Sequence, residues 1–172
     1  MSTSSAARHE RAITIDHPDV RAAAAYEENG ELIVAVVPKS YASATGIREH
    51  LWKRHALQVL VVVVDELPAM TDGAVDLTRL GEEVATLTAS QKSRYVAASG
   101  NLERQLAGLL GEILEIERVG VLDDFMDLGG NSMDMVQLST LIMERFGVDL
   151  SLEIVFEAAT VRNLAGIVRQ RS

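Results

Sequence analysis

DDFMDLGGNSMDMVQLSTLIMERFGV, residues 123–148, decides how the second half of the chain is read. Gly129 and Gly130 allow a sharp backbone turn with no side chain in the way. Behind them a helix is expected from about Ser132 to Phe146, with Val136, Ile142 and Phe146 among its apolar positions and Gly147 where a helix stop belongs. Asn131 suits the N-cap, with Asp134 at the third helical position, close to a capping box although Asp stands where Glu or Gln is usual. Ser132 is itself a cap candidate. With Asn131 in that role, the serine hydroxyl is left to face solvent at the positive end of the helix dipole, where negative charge is stabilised.

Working outward, Leu102, Leu106, Leu109, Leu110, Ile113 and Leu114 lie on one helical face. A long loop separates that helix from the glycines. LEIVFEA, residues 152–158, suggests a short third helix, and Thr160 caps a fourth carrying Leu164, Ile167 and Val168. The expectation is an all-α four-helix bundle over 101–172.

The first half has a different texture. Asn29-Gly30 supplies the positive φ angles of a tight hairpin turn, followed by an apolar run from Leu32 to Val37. An amphipathic helix is expected from about Thr45 to His55 with Ile47, Leu51 and Leu57 on its apolar side, and Val59–Val64 reads as a buried strand. From Thr71 to about Gly100 strong apolar periodicity is lost. The domain reading is a flexible tail over 1–12, a small α+β subdomain over 13–82, a linker over 83–100 with a mobile junction around Ala85–Gly100, and the bundle over 101–172.

Composition removes whole function classes. The chain has 172 residues, a net charge of −9 and no cysteine. Residues 1–100 carry 13 acids and 10 bases, residues 101–172 carry 12 acids and 6 bases, and the second half contains no lysine. Such a surface repels nucleic-acid phosphates and anionic membranes, so basic partner surfaces are expected in place of nucleic acid or membrane. Without cysteine there is no disulfide framework, thiolate nucleophile or cysteine-ligated metal. The polar opening lacks a secretory apolar core, and the chain reads as cytoplasmic. No metal site is expected: His50 and His55, five apart, are off the register of helical metal pairs.

Ser132 is a poor hydrolase nucleophile, because a serine needs a general base and His9, His17, His50 and His55 all lie in the first half. The run G-N-S-M-D also lacks the second glycine of a nucleophile elbow. A serine that cannot activate itself can still be modified by another enzyme. Along residues 102–168 the chain resembles a peptidyl carrier (thiolation) domain of nonribosomal peptide synthetases, its DDFMDLGGNSM following the family pattern D-x-F-F-x-L-G-G-[HDN]-S-[LIM]. The resemblance implies that Ser132 is where a phosphopantetheinyl transferase attaches 4′-phosphopantetheine, with no catalytic residues in the chain itself. It implies an acyl thioester carried for condensation or tailoring enzymes and loaded in trans by an adenylation enzyme. It also puts Met126, Asn131 and Met133 at the partner-facing surface.

Residues 17–80 resemble the C-terminal subdomain of adenylation domains. That family closes on L-P-x-T-x-[NT]-G-K-[VIL]-[DN], whereas Leu67–Asp76 here reads LPAMTDGAVD, with Ala74 at the lysine position. The resemblance makes that lysine the bridge between substrate carboxylate and ATP phosphate, work for a positive charge that alanine does not do. The expected whole is a non-catalytic carrier with a degenerate adenylation-like subdomain, read as free-standing in preference to an excised fragment of a larger synthetase. The alternative is a recruitment protein whose first domain docks an adenylating enzyme.

Overall fold

The computed structural model describes residues 17–40 and 42–172, so the expected tail over 1–12 and the first residues of the expected subdomain lie outside the described residues. Contacts divide the chain into two compact units, with the boundary between Arg94 and Tyr95.

In the first unit β1 (Val20–Glu28) and β2 (Glu31–Pro38) form an antiparallel hairpin. Its turn residues Asn29 and Gly30 have φ of 52° and 80°, the left-handed pair that a two-residue turn demands. A crossover through α1 (Ala44–His55) brings β3 (Leu60–Val63) parallel to β2. Ser43 caps α1 by accepting from the Gly46 N–H, and Ala56, at φ 52°, ends it. Leu57 follows the helix, partly buried against the same core as α1. The sheet order is β1-β2-β3-β4.

Ile47 and Leu51 of α1 bury one face of this sheet with Ala23, Ala25, Val34, Val36 and Val61. The other face, Ala24, Tyr26, Ile33, Ala35 and Val62, packs with Leu80 and Val84. Both faces being covered is why β2 and β3 read as continuous apolar runs instead of alternating.

Leu80 and Val84 belong to a segment expected to lack strong apolar periodicity, Leu80 at the end of the expected subdomain and Val84 in the expected linker. Residues 77–86 form α2 (Leu77–Thr86), capped by Asp76, whose side chain accepts from the Arg79 N–H. Past a short 3-10 turn, β4 (Lys92–Ser93) pairs antiparallel with β3. The expected linker over 83–100 thus contains the end of a helix and an edge strand. Asp76 as a cap and Leu77, Leu80 and Val84 at helical spacing do mark this helix in the sequence; at ten residues with two buried side chains, it is short enough to pass for part of a linker. Ser93 is held by a polar contact: its hydroxyl lies 3.0 Å from Thr45 Oγ1 and accepts from Arg48 at 3.0 Å. Arg48, fully buried, also donates to Glu49 at 2.8 Å.

The second unit opens before its first helix. The Val96 carbonyl accepts from the Val121 N–H at 2.8 Å, and Val96 and Ala98 lie against the bundle core. The helices are α3 (Asn101–Leu114), α4 (Ser132–Phe146), α5 (Leu152–Ala158) and α6 (Val161–Arg171). Among the described residues the chain therefore has six α-helices and one four-stranded sheet. Leu106, Leu109, Leu110, Leu138, Ile142, Val155, Val161 and Leu164 form the bundle centre. Val136, expected among the apolar positions, is instead 43% exposed, because the buried stripe of α4 runs through Met135, Leu138 and Ile142. Glu103 ties the start of α3 to Ser99, whose N–H and hydroxyl donate to it at 2.8 and 3.1 Å, and to Arg162 of α6 at 3.3 Å.

Leu80→Ala should destabilise the first unit by about 3 kcal/mol, the usual cost of emptying a leucine site. Chemical denaturation measures it, and a cost near zero would mean that α2 is not part of the core. The Glu103 carboxyl is held below the usual range, first by the Ser99 amide and also by Arg162, against the opposing effect of burial. A carboxyl depressed in the folded state stabilises above its unfolded pKa and loses that contribution as pH falls through the folded value. Glu103→Gln should therefore reduce the acid-side fall in stability, read from melting temperature between neutral pH and the carboxylate range.

Candidate functional site

The loop before α4 is shaped by two glycines with different jobs. Gly129 has φ of 95°, a conformation that a side chain disfavours. Gly130 instead lacks space: a Cβ there would lie 2.3 Å from Cε1 of Phe125. Phe125 is buried, its N–H donates to the Ala159 carbonyl at 2.8 Å, and its own carbonyl accepts from the Gly130 N–H at 3.0 Å. The Gly-Gly turn is in this way fastened to the C-terminal cap of α5 and to the bundle core. Asp123, also buried, closes the preceding turn by accepting from the Gly120 N–H at 2.8 Å.

Asn131 takes the cap. Its side chain accepts from the N–H groups of Met133 at 2.8 Å and Asp134 at 3.3 Å, and Asp134 returns a bond from the Asn131 N–H at 3.0 Å. This reciprocal pair satisfies three of the donors exposed at the helix start and stands in for the serine. Ser132 is the first residue of α4, exposed, and its hydroxyl makes no hydrogen bond among the described residues.

The surface around it is apolar and acidic together. Met133 is 76% exposed, while Met135, two residues on, is in the core. Met126 is exposed on the loop, so the loop and helix start present all three expected contact residues, Met126, Asn131 and Met133. Asp127 is half-buried; burial, then the charges of Asp124 and Asp123, push its carboxyl above the usual range. No histidine lies in this unit. In the first unit the rings of His17 and His50 meet edge to face at 4.7 Å, and the described residues contain no group of three or more side chains able to hold a metal.

Sequence reasoning missed other exposed apolar residues of this unit. Phe156 of α5 is 60% exposed, and Val136 and Leu152 are exposed as well. Periodicity assigns such residues to a core, and an exposed aromatic is visible only once the helix faces are known. Ala74 lies in the first unit on an exposed turn, where its carbonyl accepts from the Met70 N–H at 2.8 Å and its N–H donates to Asp72 at 3.0 Å.

Residues 104–168 match the family described as the phosphopantetheine attachment site. Malpibaldin synthetase of Mortierella alpina is 37% identical over 122 residues, 69% of this chain and 2% of that protein. Tyrocidine synthase 3 of Brevibacillus parabrevis is 27% identical over 165 residues, 94% of this chain and 2% of that protein. The chain spans only 2% to 4% of the length of the curated relatives it matches. Among solved structures, the phosphopantetheine transferase Sfp in complex with coenzyme A and a peptidyl carrier protein aligns at 28% identity and a TM-score of 0.44, over 45% of this chain and 100% of that one.

Gly130→Ala should cost about 1–3 kcal/mol, since the buried Phe125 ring has to move. Combining it with Phe125→Leu should recover part of that loss. Melting of the wild type, both single variants and the double variant measures the coupling, and simply additive penalties would mean that the two residues do not compete for one space.

Proposed function

Since residues 104–168 are a phosphopantetheine-attachment domain of the peptidyl carrier kind, we propose that Ser132 Oγ is the atom that receives 4′-phosphopantetheine. The chain then presents acyl groups, aminoacyl foremost, to the enzymes of a peptide-assembly pathway and catalyses no bond change of its own. The observation that carries this reading is the serine hydroxyl itself, exposed, without a hydrogen-bond partner among the described residues, at the head of a 15-residue helix inside the matched segment.

The residues at this position suit the group. A phosphodiester on Ser132 gains from the helix dipole, and the Asn131–Asp134 capping pair leaves the serine oxygen uncommitted. The glycines keep side chains away from the approach, and Phe125 prevents the turn from drifting. When bound, the group supplies a terminal thiol, which this cysteine-free chain lacks. Activation of the hydroxyl falls to the modifying enzyme: a phosphopantetheinyl transferase brings coenzyme A, a metal ion and a base to a serine that has no base nearby. Met126, Met133, Val136 and Phe156 offer adaptable apolar contacts, and the surrounding carboxylates steer basic partners toward them.

The first unit is read as a degenerate adenylation-type subdomain, over residues 13–82 and continuing through α2 and β4. Support comes from the tyrocidine synthase 3 alignment, which extends over 94% of the chain. Ala74 on its exposed turn has no charge to place on a phosphate, so loading is assigned to an adenylation enzyme acting in trans, with condensation or tailoring enzymes downstream. No described helix is long and apolar enough to cross a membrane.

Incubation of the full chain with coenzyme A, Mg²⁺ and a broad-specificity transferase, followed by intact-protein mass spectrometry, tests the assignment. The wild type should gain one phosphopantetheinyl group and Ser132→Ala none, with unchanged circular dichroism. Modification of Ser132→Ala, or an unmodified wild type, would sink it.

A further inference from the structure

Between the end of β1 and the side of α2 the first unit holds an open cleft of about 480 Å³. Thr78, Gly81 and Glu82, at i, i+3 and i+4, form its wall on the helix, with Leu77 at one end. Tyr26 and Glu28, two apart on β1 and therefore on one face of the sheet, form the other wall. A Cβ at Gly81 would already meet Glu28 Oε1 at 4.0 Å, so this carboxylate stands across the cleft from bare helix backbone.

The charge in the cleft has one sign. Glu28 and Glu82 are exposed, neither makes an ion pair among the described residues, and Glu27 adds a third carboxylate at the rim. Nearby arginines are engaged, Arg79 with Glu83 at 3.2 Å and Arg94 with Glu31 at 2.7 Å, while Lys92 borders a separate hollow beyond Glu28. The positive end of α2 is answered by Asp76, which accepts from the Arg79 N–H. An independent observation is the Tyr26 hydroxyl. Tyr26 is 9% exposed and lines the cleft, and its buried hydroxyl has no hydrogen-bond partner among the described residues. Buried polar atoms are nearly always paired, so one left open calls for a partner from outside the chain. Burial, then the charge of Glu28, push the phenol above its ordinary range, so at neutral pH it stays protonated with lone pairs to offer. A neutral donor would leave the carboxylates unanswered. A metal ion would lack ligands, since no group of three or more suitable side chains occurs among the described residues. An ammonium brings both the charge and three N–H donors.

We propose that this cleft binds a primary alkylammonium, whose N–H groups bond Tyr26 Oη and the carboxylates of Glu28 and Glu82 while its apolar stem lies on the exposed Leu77. A carboxylate beside the ammonium would face Glu28 and Glu82. The ligand class is therefore an amine, or an amino-acid derivative whose carboxyl is masked, and not a free amino acid. All the residues involved belong to the first unit, so the site is independent of the assignment of Ser132.

Titration of the full chain with n-butylammonium chloride, followed by amide NMR at constant ionic strength from roughly 0.1 to 50 mM, brackets the affinity open to so small a ligand. Saturable shifts are expected at Tyr26, Glu28, Gly81 and Glu82. The isosteric 1-butanol should give none, and L-leucine should bind about tenfold more weakly or less. Tyr26→Phe and Glu28→Gln should each weaken binding by about tenfold, since each removes a hydrogen bond to a charged donor. Tyr26→Phe should at the same time leave the melting temperature unchanged or raise it, because the hydroxyl it removes has no partner in the fold. The absence of saturable shifts overturns the proposal, as does butanol matching butylammonium or leucine binding equally well. So does a Tyr26→Phe variant that binds like wild type, or one whose melting temperature falls, which would give the hydroxyl a structural partner.

Discussion

The contact between the Phe125 ring and the backbone of Gly130 sets the geometry on which the second unit depends. A buried aromatic occupies the space where a side chain at residue 130 would be, while its backbone bonds both the same glycine and Ala159. A loop that carries few apolar contacts of its own is thereby pinned at one point to the bundle core. Because α4 begins two residues later, this point fixes where the helix starts and which of its residues face outward. Ser132 and Met133 are outside and Met135 inside for that reason.

The exposed serine also depends on a neighbour taking over its usual work. Serine at a helix start ordinarily spends its oxygen on the unpaired amides. Asn131 and Asp134 perform that task reciprocally, so the hydroxyl at the first helical position is not needed for stability. Without a base close by, it is also inert until another protein supplies one. That combination suits the modification proposed for it.

The first unit solves another problem, holding a short strand that has little apolar surface. β4 contributes two residues, and the one that is buried is a serine. Its hydroxyl meets Thr45 and the fully buried Arg48, so a polar cluster fastens the end of this unit to α1 where packing alone offers little. Only Arg94 and Tyr95 separate it in the chain from Val96, which is bonded to Val121 in the next unit. At the other end of the sheet β1 is long and alanine-rich, with Ala23, Ala24 and Ala25 buried and charged residues only near its ends.

Local chemistry made much of this legible beforehand. The hairpin at Asn29-Gly30, the buried valine strand, the helix over 132–146 and the Asn131 cap all follow from dihedral preference, periodicity and capping, which act over a few residues. The same signals made Ser132 stand out, since glycines, cap and serine are adjacent in the chain. α2 was legible in its Asp76 cap and the spacing of Leu77, Leu80 and Val84 but was overlooked, whereas β4 was not, because it is held by hydrogen bonds with Thr45 and Arg48, more than forty positions away. Nor was the outward turn of Val136 and Phe156, which depends on which helix face the bundle closes over. Short-range preference determined the elements and the candidate serine; the second covered sheet face, the anchoring of the last strand and the division of apolar residues between core and surface were decided only by contacts between distant parts of the chain, which no local pattern encodes.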